Sequence, residues 1–237
     1  MKMIENVFEE MYVTGDIHKE IARFYAPGYG IKQTLEQGDI LFVCGDFGFA
    51  GEEEYLDSLA ELPYMIAFCD GNHENFPALG GYPIELWNGG RIHRLRSNVI
   101  HLMRGQVYEV NGVKIFVMGG GYSIDRDYYK EGEHWWQEEM PSEEEYEEAW
   151  ENLEKCGYQV DYILTHTAPM ETLLGAFRKS HKGEGRLNAF LDQVRDRVSY
   201  KHWYFGHLHE DRDLWRNQTV LWTDIRVLET GEIVSFL

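Results

Sequence analysis

Polar side chains that can bind a metal ion follow five short apolar runs of the sequence. They are Asp16 and His18 in "GDIH", Asp46 in "GDFGF", Asn72 and His73 in "GNHE", His166 in "THTAP", and His207 and His209 in "FGHLH". A single histidine after a strand is more often structural than a ligand, and Gly-Asp pairs are common in turns. In open α/β sheets, however, ligands bind beyond the carboxyl ends of the strands. Because five of the ten histidines fall at such positions, we interpret the five sets as one site.

The donor atoms indicate which ions such a site would bind. Imidazole nitrogens combined with carboxylate and amide oxygens suit Mn, Fe or Zn, whereas oxygens alone would indicate Ca or Mg. Leaving His73 aside, seven donor groups are more than one tetrahedral ion needs, and two ions that share one carboxylate would use them all. Two ions about 3.5 to 4 Å apart can bind a phosphoryl group and position an attacking hydroxide. The sequence therefore predicts two divalent ions, with Mn favoured and Fe or Zn as alternatives.

The apolar runs predict β-strands, since each is too short and too apolar for a surface helix. The predicted strands cover residues 11–15, 39–45, 64–71, 114–120, 161–166 and 202–207. Apolar residues that recur at helical spacing predict helices over 51–63 and 185–198. A proline followed by an acidic run predicts a third helix over about 141–156.

Two further stretches, residues 98–119 and 218–237, have the pattern of antiparallel hairpins, with turns at "RGQ", "NGV" and "TGE". Strands that alternate with helices, followed by hairpins, predict an α/β (mixed α+β) chain with helices outside its sheets. At 237 residues the chain can bury a large core, and no repeat or proline-rich linker marks a second unit. We predict one domain over 1–237, with 119–157 as a cap or insertion within it.

The ordered set D-x-H, G-D, G-N-H-E, H and G-H-x-H resembles the calcineurin-like metallophosphoesterase superfamily and extends over residues 15–209. The resemblance implies a four-layer αββα sandwich of two mixed β-sheets flanked by helices. It also implies that one ion is bound by Asp16, His18, Asp46 and His209, and the other by Asp46, Asn72, His166 and His207. Asp46 would bridge the two ions. His73 matches the catalytic histidine of the family, which donates a proton to the leaving oxygen or stabilises its charge.

The second motif departs from the family pattern. Where many members have another aspartate, in G-D-x-x-D, this chain has Phe49 in "GDFGFAG". In the protein serine/threonine phosphatases that aspartate orients the catalytic histidine, and partners of this kind fix the tautomer and the ring position. Asp70 and Glu74 are the candidate replacements.

The arginines that bind phosphate in those phosphatases are also missing, which disfavours a protein phosphatase. Candidate substrate contacts are Arg126, His181 and Lys182. The alternative for all three is an ordinary loop charge in contact with solvent.

Composition disfavours several classes of protein. The net charge of −19 disfavours non-specific binding to nucleic acid or to anionic membranes. No apolar stretch approaches the roughly 20 residues that cross a bilayer, and the acidic N-terminus is unlike a secretory signal. Cys44, Cys69 and Cys156 form no C-x-x-C pair, which argues against a disulfide framework or a cysteine zinc site. We expect a cytoplasmic protein with reduced thiols and no obligate protein partner.

The most acidic stretch, residues 131–154, contains eleven glutamates and no Lys or Arg. We interpret most of it as the solvated face of the predicted third helix. The alternative is a lid or a partner surface, with Trp135, Trp136 and Trp150 as its apolar contacts.

These observations predict a metal-dependent hydrolase of phosphoester bonds that uses a dinuclear metal centre and a metal-bound hydroxide. The expected partner is a small phosphomonoester or phosphodiester, and nucleotides, cyclic nucleotides and other small esters all agree with the residues. A nuclease of the same superfamily is an alternative that the acidic composition disfavours. A non-catalytic scaffold on the same fold is a second alternative, which the complete ligand set disfavours.

Overall fold

The structure, a computed structural model, describes residues 7–26 and 30–235. Residues 1–6, 27–29 and 236–237, which include part of the acidic N-terminus and the end of the last predicted hairpin, lie outside the described residues. The strands are β1 Met11–Thr14, β2 Ile40–Val43, β3 Met65–Phe68, β4 Ile84–Trp87, β5 Gly90–Arg96, β6 Val99–Leu102, β7 Gln106–Val110, β8 Val113–Met118, β9 Tyr162–Thr165, β10 His202–Phe205, β11 Arg212–Leu214, β12 Gln218–Val220, β13 Ile225–Val227 and β14 Ile233–Ser235. The helices are α1 Ala22–Tyr25, α2 Gly30–Thr34, α3 Glu53–Ala60, α4 Phe76–Leu79, α5 Glu143–Lys155, α6 Met170–Thr172 and α7 Gly185–Arg197.

The strands form two mixed sheets. The first has the order β14-β13-β1-β2-β3-β6-β5-β4, and the second has the order β11-β12-β10-β9-β8-β7. Neighbours are parallel from β1 through β2 and β3 to β6, and from β8 through β9 and β10 to β12. Each sheet therefore has a parallel centre, where the carboxyl ends of adjacent strands share one edge.

The central strands are buried on both faces, which explains their unbroken apolar sequences. In β2, Ile40 and Phe42 pack in the core between the two sheets, whereas Leu41 and Val43 pack against the outer cluster that includes Leu56 of α3. This alternation is the two-residue period of a strand.

Helices α5 and α7 cover the outer face of the second sheet. Their buried residues Leu153, Phe190 and Val194 share a cluster with Ile163 of β9 and Phe205 of β10. Helix, sheet, sheet and helix thus form four layers, and the predicted αββα sandwich is confirmed.

Helix α5 begins with a capping box in the acidic sequence "PSEEE". Ser142 accepts a hydrogen bond from the Glu145 backbone at 3.2 Å, and Glu145 accepts one from the Ser142 backbone at 2.7 Å. The helix predicted over about 141–156 is therefore present at Glu143–Lys155, with Tyr146, Ala149 and Leu153 on its buried side.

The predicted hairpins are partly wrong. The turns "NGV" and "TGE" do join antiparallel neighbours, β7 with β8 and β13 with β14. The turn "RGQ" instead leads from β6 in the first sheet to β7 in the second, and β12 and β13 also belong to different sheets. A strand pattern predicts a strand but does not specify its sheet, because both sheets bury the same kinds of side chain.

The hairpin of β4 and β5 is absent from the sequence prediction. Its two-residue loop, Asn88 and Gly89, has φ values of 48° and 92°, as a type I′ turn requires. The Asn-Gly pair between apolar runs was the signal that could have identified this hairpin. Across residues 7–26 and 30–235, none of the helices combines the length and the apolar character needed to span a bilayer.

Candidate metal centre

All seven predicted metal ligands lie together at the carboxyl ends of parallel strands. Asp16 and His18 follow β1, and Asp46 and Asn72 follow β2 and β3 in the first sheet. His166 follows β9 in the second sheet, while His207 and His209 follow β10. The two sheets thus contribute ligands from facing edges.

The first ligand group consists of Asp16, His18 and His209, whose donor atoms lie within 4.8 Å of one another. The Asp16 carboxylate lies 3.1 Å from His209 Nε2 and 3.5 Å from His18 Nε2. The two imidazole nitrogens are 2.8 Å apart. Asp46 borders this group, since its carboxylate is 3.7 Å from His18 Nε2.

The second ligand group consists of Asp46, Asn72, His166 and His207. His166 Nε2 lies 3.1 Å from Asn72 Oδ1, 3.1 Å from His207 Nδ1 and 3.4 Å from Asp46 Oδ1. Asp46 is therefore the residue that faces both groups, as a bridging ligand would.

Several of these ligands have a left-handed backbone, which is unusual for residues other than glycine. The φ values are 50° at His18, 50° at Asp46, 67° at His207 and 52° at His209. Such conformations are unfavourable by about 1 to 3 kcal/mol each and cluster at functional sites. The backbone of the loops after the strands is therefore strained at these residues. This backbone conformation directs their side chains toward one point.

Two glycines are required by the close approach of the aspartates. A Cβ atom on Gly71 would lie 2.1 Å from Asp46 Oδ1, and one on Gly206 would lie 2.1 Å from Asp16 Oδ1. Each carboxylate also accepts a hydrogen bond at 2.8 Å from the nearby backbone, from His73 N and His207 N respectively. The glycines of "GNHE" and "GHLH" therefore allow backbone N–H groups to reach the carboxylates.

A set of buried partners orients the second ligand group. His166 Nδ1 lies 2.8 Å from the Cys44 carbonyl oxygen, which only accepts, so Nδ1 carries the proton and Nε2 faces the centre. Asn72 Nδ2 donates to Ser123 Oγ at 3.1 Å, which turns Asn72 Oδ1 toward His166. The sequence predictions did not include Ser123, because it lies far from Asn72 along the chain.

Glu184 is a second supporting residue that sequence reasoning missed. Its carboxylate lies 3.4 Å from His207 Nε2 and accepts hydrogen bonds from Thr167 and Asn188. Burial by itself would raise the pKa of Glu184, but His207 and these hydrogen bonds outweigh it and hold the pKa at about 2. Carboxylates placed behind metal-binding histidines fix the orientation of the imidazole.

The electrostatics of the ligands fit divalent cations. Burial alone would raise the pKa of Asp16, but the adjacent histidines, His166 foremost, lower it to about 2. Burial alone would lower the pKa of His166, but Asp46 and Asp16 raise it to about 10. These carboxylates thus stay ionised while they are buried because positive charge lies beside them, and a divalent cation would supply that charge in place of the His166 proton.

The hydrogen bonding of the ligands fits the same conclusion. The buried Asp16 Oδ2 lies 3.1 Å from His209 Nε2 and 3.5 Å from His18 Nε2, two nitrogens that could bind the same cation. The Asn72 and Asp46 oxygens, both acceptors, lie 3.1 Å and 3.4 Å from His166 Nε2. A divalent cation bound among these oxygens and the Nε2 lone pair would take the place of the His166 proton. Nitrogen and oxygen donors together suit borderline divalent ions.

His73 lies at the edge of both ligand groups. Its ring is exposed and packs edge-on against the His18 ring at 5.3 Å, and one ring nitrogen lies within 4.8 Å of the Asp46 carboxylate. Among residues 7–26 and 30–235, no side chain forms a hydrogen bond to the His73 ring. The main chain at His73 is fixed by its backbone N–H, which donates to Asp46, and its ring contacts His18.

The two proposed replacements for the missing aspartate do not orient His73. Asp70 is buried and accepts a hydrogen bond from Arg104 Nε at 2.8 Å, so its charge is compensated by Arg104 and not by His73. Glu74 accepts a hydrogen bond from the Phe47 backbone at 2.7 Å and therefore supports the loop of the second motif. Adjacency in sequence was misleading, because successive side chains at a strand end point in different directions.

Phe49, which stands in place of that aspartate, is fully buried. Its ring packs against Phe47 at 4.9 Å and against Tyr55 at 5.8 Å. The position contributes to the core under α3 rather than to the chemistry of the site.

A cavity of about 610 Å³ adjoins the centre. The candidate centre contributes Asp46, Asn72, His73, His207 and His209 to its lining. Leu173 and Leu208 supply apolar surface, and Arg178 and Lys179 supply positive charge. The last two were not among the predicted contacts, although the run "RKSHK" contains them.

The three predicted substrate contacts occupy different positions. His181 lines the cavity and stacks on Tyr122 with ring centroids 4.6 Å apart. Arg126 donates to the buried Glu139 at 2.7 Å and does not line the cavity. Lys182 is exposed just outside the lining.

The tryptophans of the acidic stretch 131–154 pack against neighbouring parts of the chain. Trp150 packs against Phe190 at 5.1 Å, between α5 and α7. The Trp135 ring lies 4.4 Å from the Arg126 guanidinium, and Trp136 contacts Phe76 at 6.4 Å. The helix interpretation therefore holds for α5, and the function of the segment before it stays a prediction.

Comparison with known proteins adds the following. The model of a family described as calcineurin-like phosphoesterase matches residues 11–211. The UPF0046 protein C25E10.12 of Caenorhabditis elegans is 26% identical over a match that covers 79% of this chain and 66% of that protein. A crystal structure from Staphylococcus aureus, of a candidate 5'-nucleotidase in complex with alpha-ketoglutarate, is 16% identical with a TM-score of 0.49, and the match covers 90% of this chain and 48% of that one. The chain thus spans just under two thirds of the curated relative and about half of the structural one.

Proposed function

This chain belongs to the calcineurin-like phosphoesterase family, and from that premise we propose that it hydrolyses a small phosphomonoester or phosphodiester at a dinuclear metal centre. The observation that carries the proposal is the pair of ligand groups that share Asp46 beside a cavity of about 610 Å³. Cavities of this size accept small organic molecules. Among the family's substrates, a small ester therefore fits better than a protein or a nucleic acid.

The residues would divide the metal binding as follows. The ligands of the first ion would be Asp16, His18, Asp46 and His209, and those of the second would be Asp46, Asn72, His166 and His207. When bound, divalent ions of this kind supply Lewis acidity to phosphoryl oxygens and make water nucleophilic near neutral pH. Mn is the ion we propose first, with Fe and Zn as alternatives that share the same donor preferences.

The chain's own side chains would perform the remaining work. Asn72 contributes a neutral oxygen, so two divalent ions against Asp16 and Asp46 leave about two positive charges for the phosphate. His73 reaches the cavity from the edge of the centre, where it would donate a proton to the leaving oxygen. The cytoplasmic location stays an expectation, which the three free cysteines support.

The proposal is tested by turnover of p-nitrophenyl phosphate and its bis ester by the purified, Mn-loaded protein. We expect hydrolysis of at least one ester, and Asp46→Asn should lower it about a thousandfold. Metal content is measured on the same samples. Absence of turnover with Mn, Fe and Zn, despite two bound ions per chain, would contradict the proposal, and absence of bound metal would favour a scaffold.

A second experiment isolates the part played by His73. We expect His73→Ala to lower kcat about 10²- to 10⁴-fold for an alkyl ester such as glycerol 2-phosphate. The loss should be much smaller for p-nitrophenyl phosphate, whose leaving group is stable without a proton. The control is His134→Ala, which changes an exposed histidine outside the cavity lining. Equal losses for the two esters would rule out proton donation by His73.

A further inference from the structure

We propose that residues 178–182, "RKSHK", form a basic wall that binds a second anionic group of the substrate, apart from the scissile phosphate. The inference rests on the proposed function, because it concerns the far side of the same cavity. The substrate class is then a small organic phosphoester that also carries a carboxylate or a second phosphate. Such recognition would select among esters that the metal centre cannot distinguish.

The cations of the basic wall form no ion pairs within the described residues, although the protein is strongly acidic. The net charge of the chain is −19, and Lys19, which lies beside the centre, is paired with Glu52. In the described residues, by contrast, Arg178, Lys179 and Lys182 form no ion pair, and the first two line the cavity. Unpaired cations that share a cavity with a phosphate site favour a second anion.

The basic wall is anchored to the centre at its carboxyl-terminal end. His181 stacks on Tyr122, and a Cβ atom on Gly183 would lie 2.2 Å from that ring, so Tyr122 packs where a side chain would be. The next residue, Glu184, accepts a hydrogen bond from Tyr122 N at 3.1 Å and faces His207 at 3.4 Å. The position of the wall is thereby coupled to a metal ligand.

Tyr122 is itself held by contacts that lead back to the centre. The Arg126 guanidinium lies 4.0 Å from the Tyr122 ring centroid and donates to Glu139. Glu139 accepts a hydrogen bond from Ser123 Oγ at 3.0 Å, and Ser123 accepts one from Asn72. Preorganised contacts of this kind let a charged wall contribute to binding with little loss of entropy.

The backbone fixes the amino-terminal end of the wall. Arg178 ends the π-helical turn Leu173–Phe177 with a φ of 54°, and Lys179 N donates to the Leu173 carbonyl oxygen at 3.3 Å. This reversal of the chain leaves both Arg178 and Lys179 in the cavity lining, beside Leu173. Cations and an apolar side chain together suit a carbon skeleton that ends in an anion.

The test measures binding without turnover. Three phosphonates, which cannot be hydrolysed, are titrated calorimetrically into the Mn-loaded protein: propylphosphonate, 3-phosphonopropionate and ethane-1,2-bisphosphonate. The first two differ only in a terminal methyl or carboxylate, and the third replaces the carboxylate with a phosphonate. We expect one or both of the probes that carry two anionic groups to bind about tenfold more tightly than propylphosphonate, since contacts between charged groups contribute on that scale.

In the variant Arg178→Gln/Lys179→Gln, the tighter binding should disappear, and all three probes should bind with about equal affinity. The control, Lys155→Gln/Lys201→Gln, removes two exposed cations outside the cavity lining and should keep it. The ratio of the affinities for the two probes that carry a second anionic group indicates whether the second anion is a carboxylate or a phosphate.

Equal affinity of the wild type for all three probes would overturn the proposal, and so would an unchanged preference in Arg178→Gln/Lys179→Gln. A failure to bind any of the three probes would overturn it as well. These results are separate from turnover of p-nitrophenyl phosphate, which tests the proposed function alone. If the protein hydrolyses the nitrophenyl ester but shows no preference for a second anion, the proposed function stands and the proposed role of the basic wall is wrong.

Discussion

The two ligand groups of the centre differ in burial and in the support behind their side chains. The side chain of His166 is 0% exposed and that of His207 is 18% exposed. In the other group the values are 33% for His18 and 47% for His209. The buried ligands have hydrogen-bond partners behind them, whereas the His209 ring stacks on Trp222 with centroids 5.4 Å apart.

This difference has a physical consequence for metal binding. A ligand that is already oriented loses little entropy when an ion binds, and supporting residues commonly change metal affinity 10- to 100-fold. The second ligand group should therefore bind its ion more tightly than the first. The exposed group should exchange a bound ion more readily, because fewer buried partners orient its imidazoles.

Among the tests of this comparison, removal of the ions by chelation should have the largest effect on turnover. Removal of all bound ions with a chelator should lower turnover to background, and added Mn should restore it. During stepwise chelation, we expect the metal content per chain to fall in two stages, with the exposed group emptied first. A single-stage loss of both ions would show that the groups are equivalent.

Removal of one histidine from each group should give unequal losses. His166→Ala leaves Asp16 and Asp46 buried beside each other without the imidazole between them, so we expect a loss of turnover of about a thousandfold that excess Mn does not rescue. His209→Ala should retain about one ion per chain and regain part of its turnover in excess Mn. Metal content and turnover are measured together, and equal behaviour of the two variants would contradict the comparison.

A smaller effect is expected from Glu184→Gln, which removes the charge behind His207. We expect Mn affinity at the buried group to fall about 10- to 100-fold, measured by titration calorimetry. The matched control is Glu143→Gln, at an exposed glutamate that pairs with Arg186. Wild-type affinity in Glu184→Gln would show that His207 needs no support from it.

The smallest effect should come from Trp222→Ala, which removes the ring stacked on His209. A stacking contact contributes about 1 kcal/mol, so Mn affinity at the exposed group should fall about fivefold. Trp215→Ala, at another exposed tryptophan, serves as the control. A loss as large as that of Glu184→Gln would mean that both groups are equally supported.

Much of the fold could be predicted from short segments of sequence. The runs that became β2, β3 and β9 are apolar because both of their faces are buried, so composition alone identified them. The turn at Asn111 and Gly112 is likewise a local signal, and it joins β7 to β8 as predicted. The assignment of strands to sheets failed at the turn after β6, because that choice depends on which surface each strand meets after the chain has folded.

The support around the site could not be predicted from adjacency. Ser123 is 51 residues from Asn72, and no local pattern connects them. Asp70, three residues before His73, pairs instead with Arg104, which is 34 residues away. Contacts of this kind depend on the direction of each side chain at the strand end, and that direction follows from the packing of the two sheets.

The sequence by itself determined the seven candidate ligands and the acidic character of the protein, and the family resemblance that these residues carry implied the four-layer class. Residue types and their positions after apolar runs carry that information, because a parallel sheet brings its carboxyl ends to one edge. Tertiary structure alone decided which ligands are buried, which partners orient them and where Arg178 and Lys179 meet the cavity. The physical reason is that burial, ion pairing and hydrogen bonding act across space, between residues whose separation along the chain has no fixed relation to their distance.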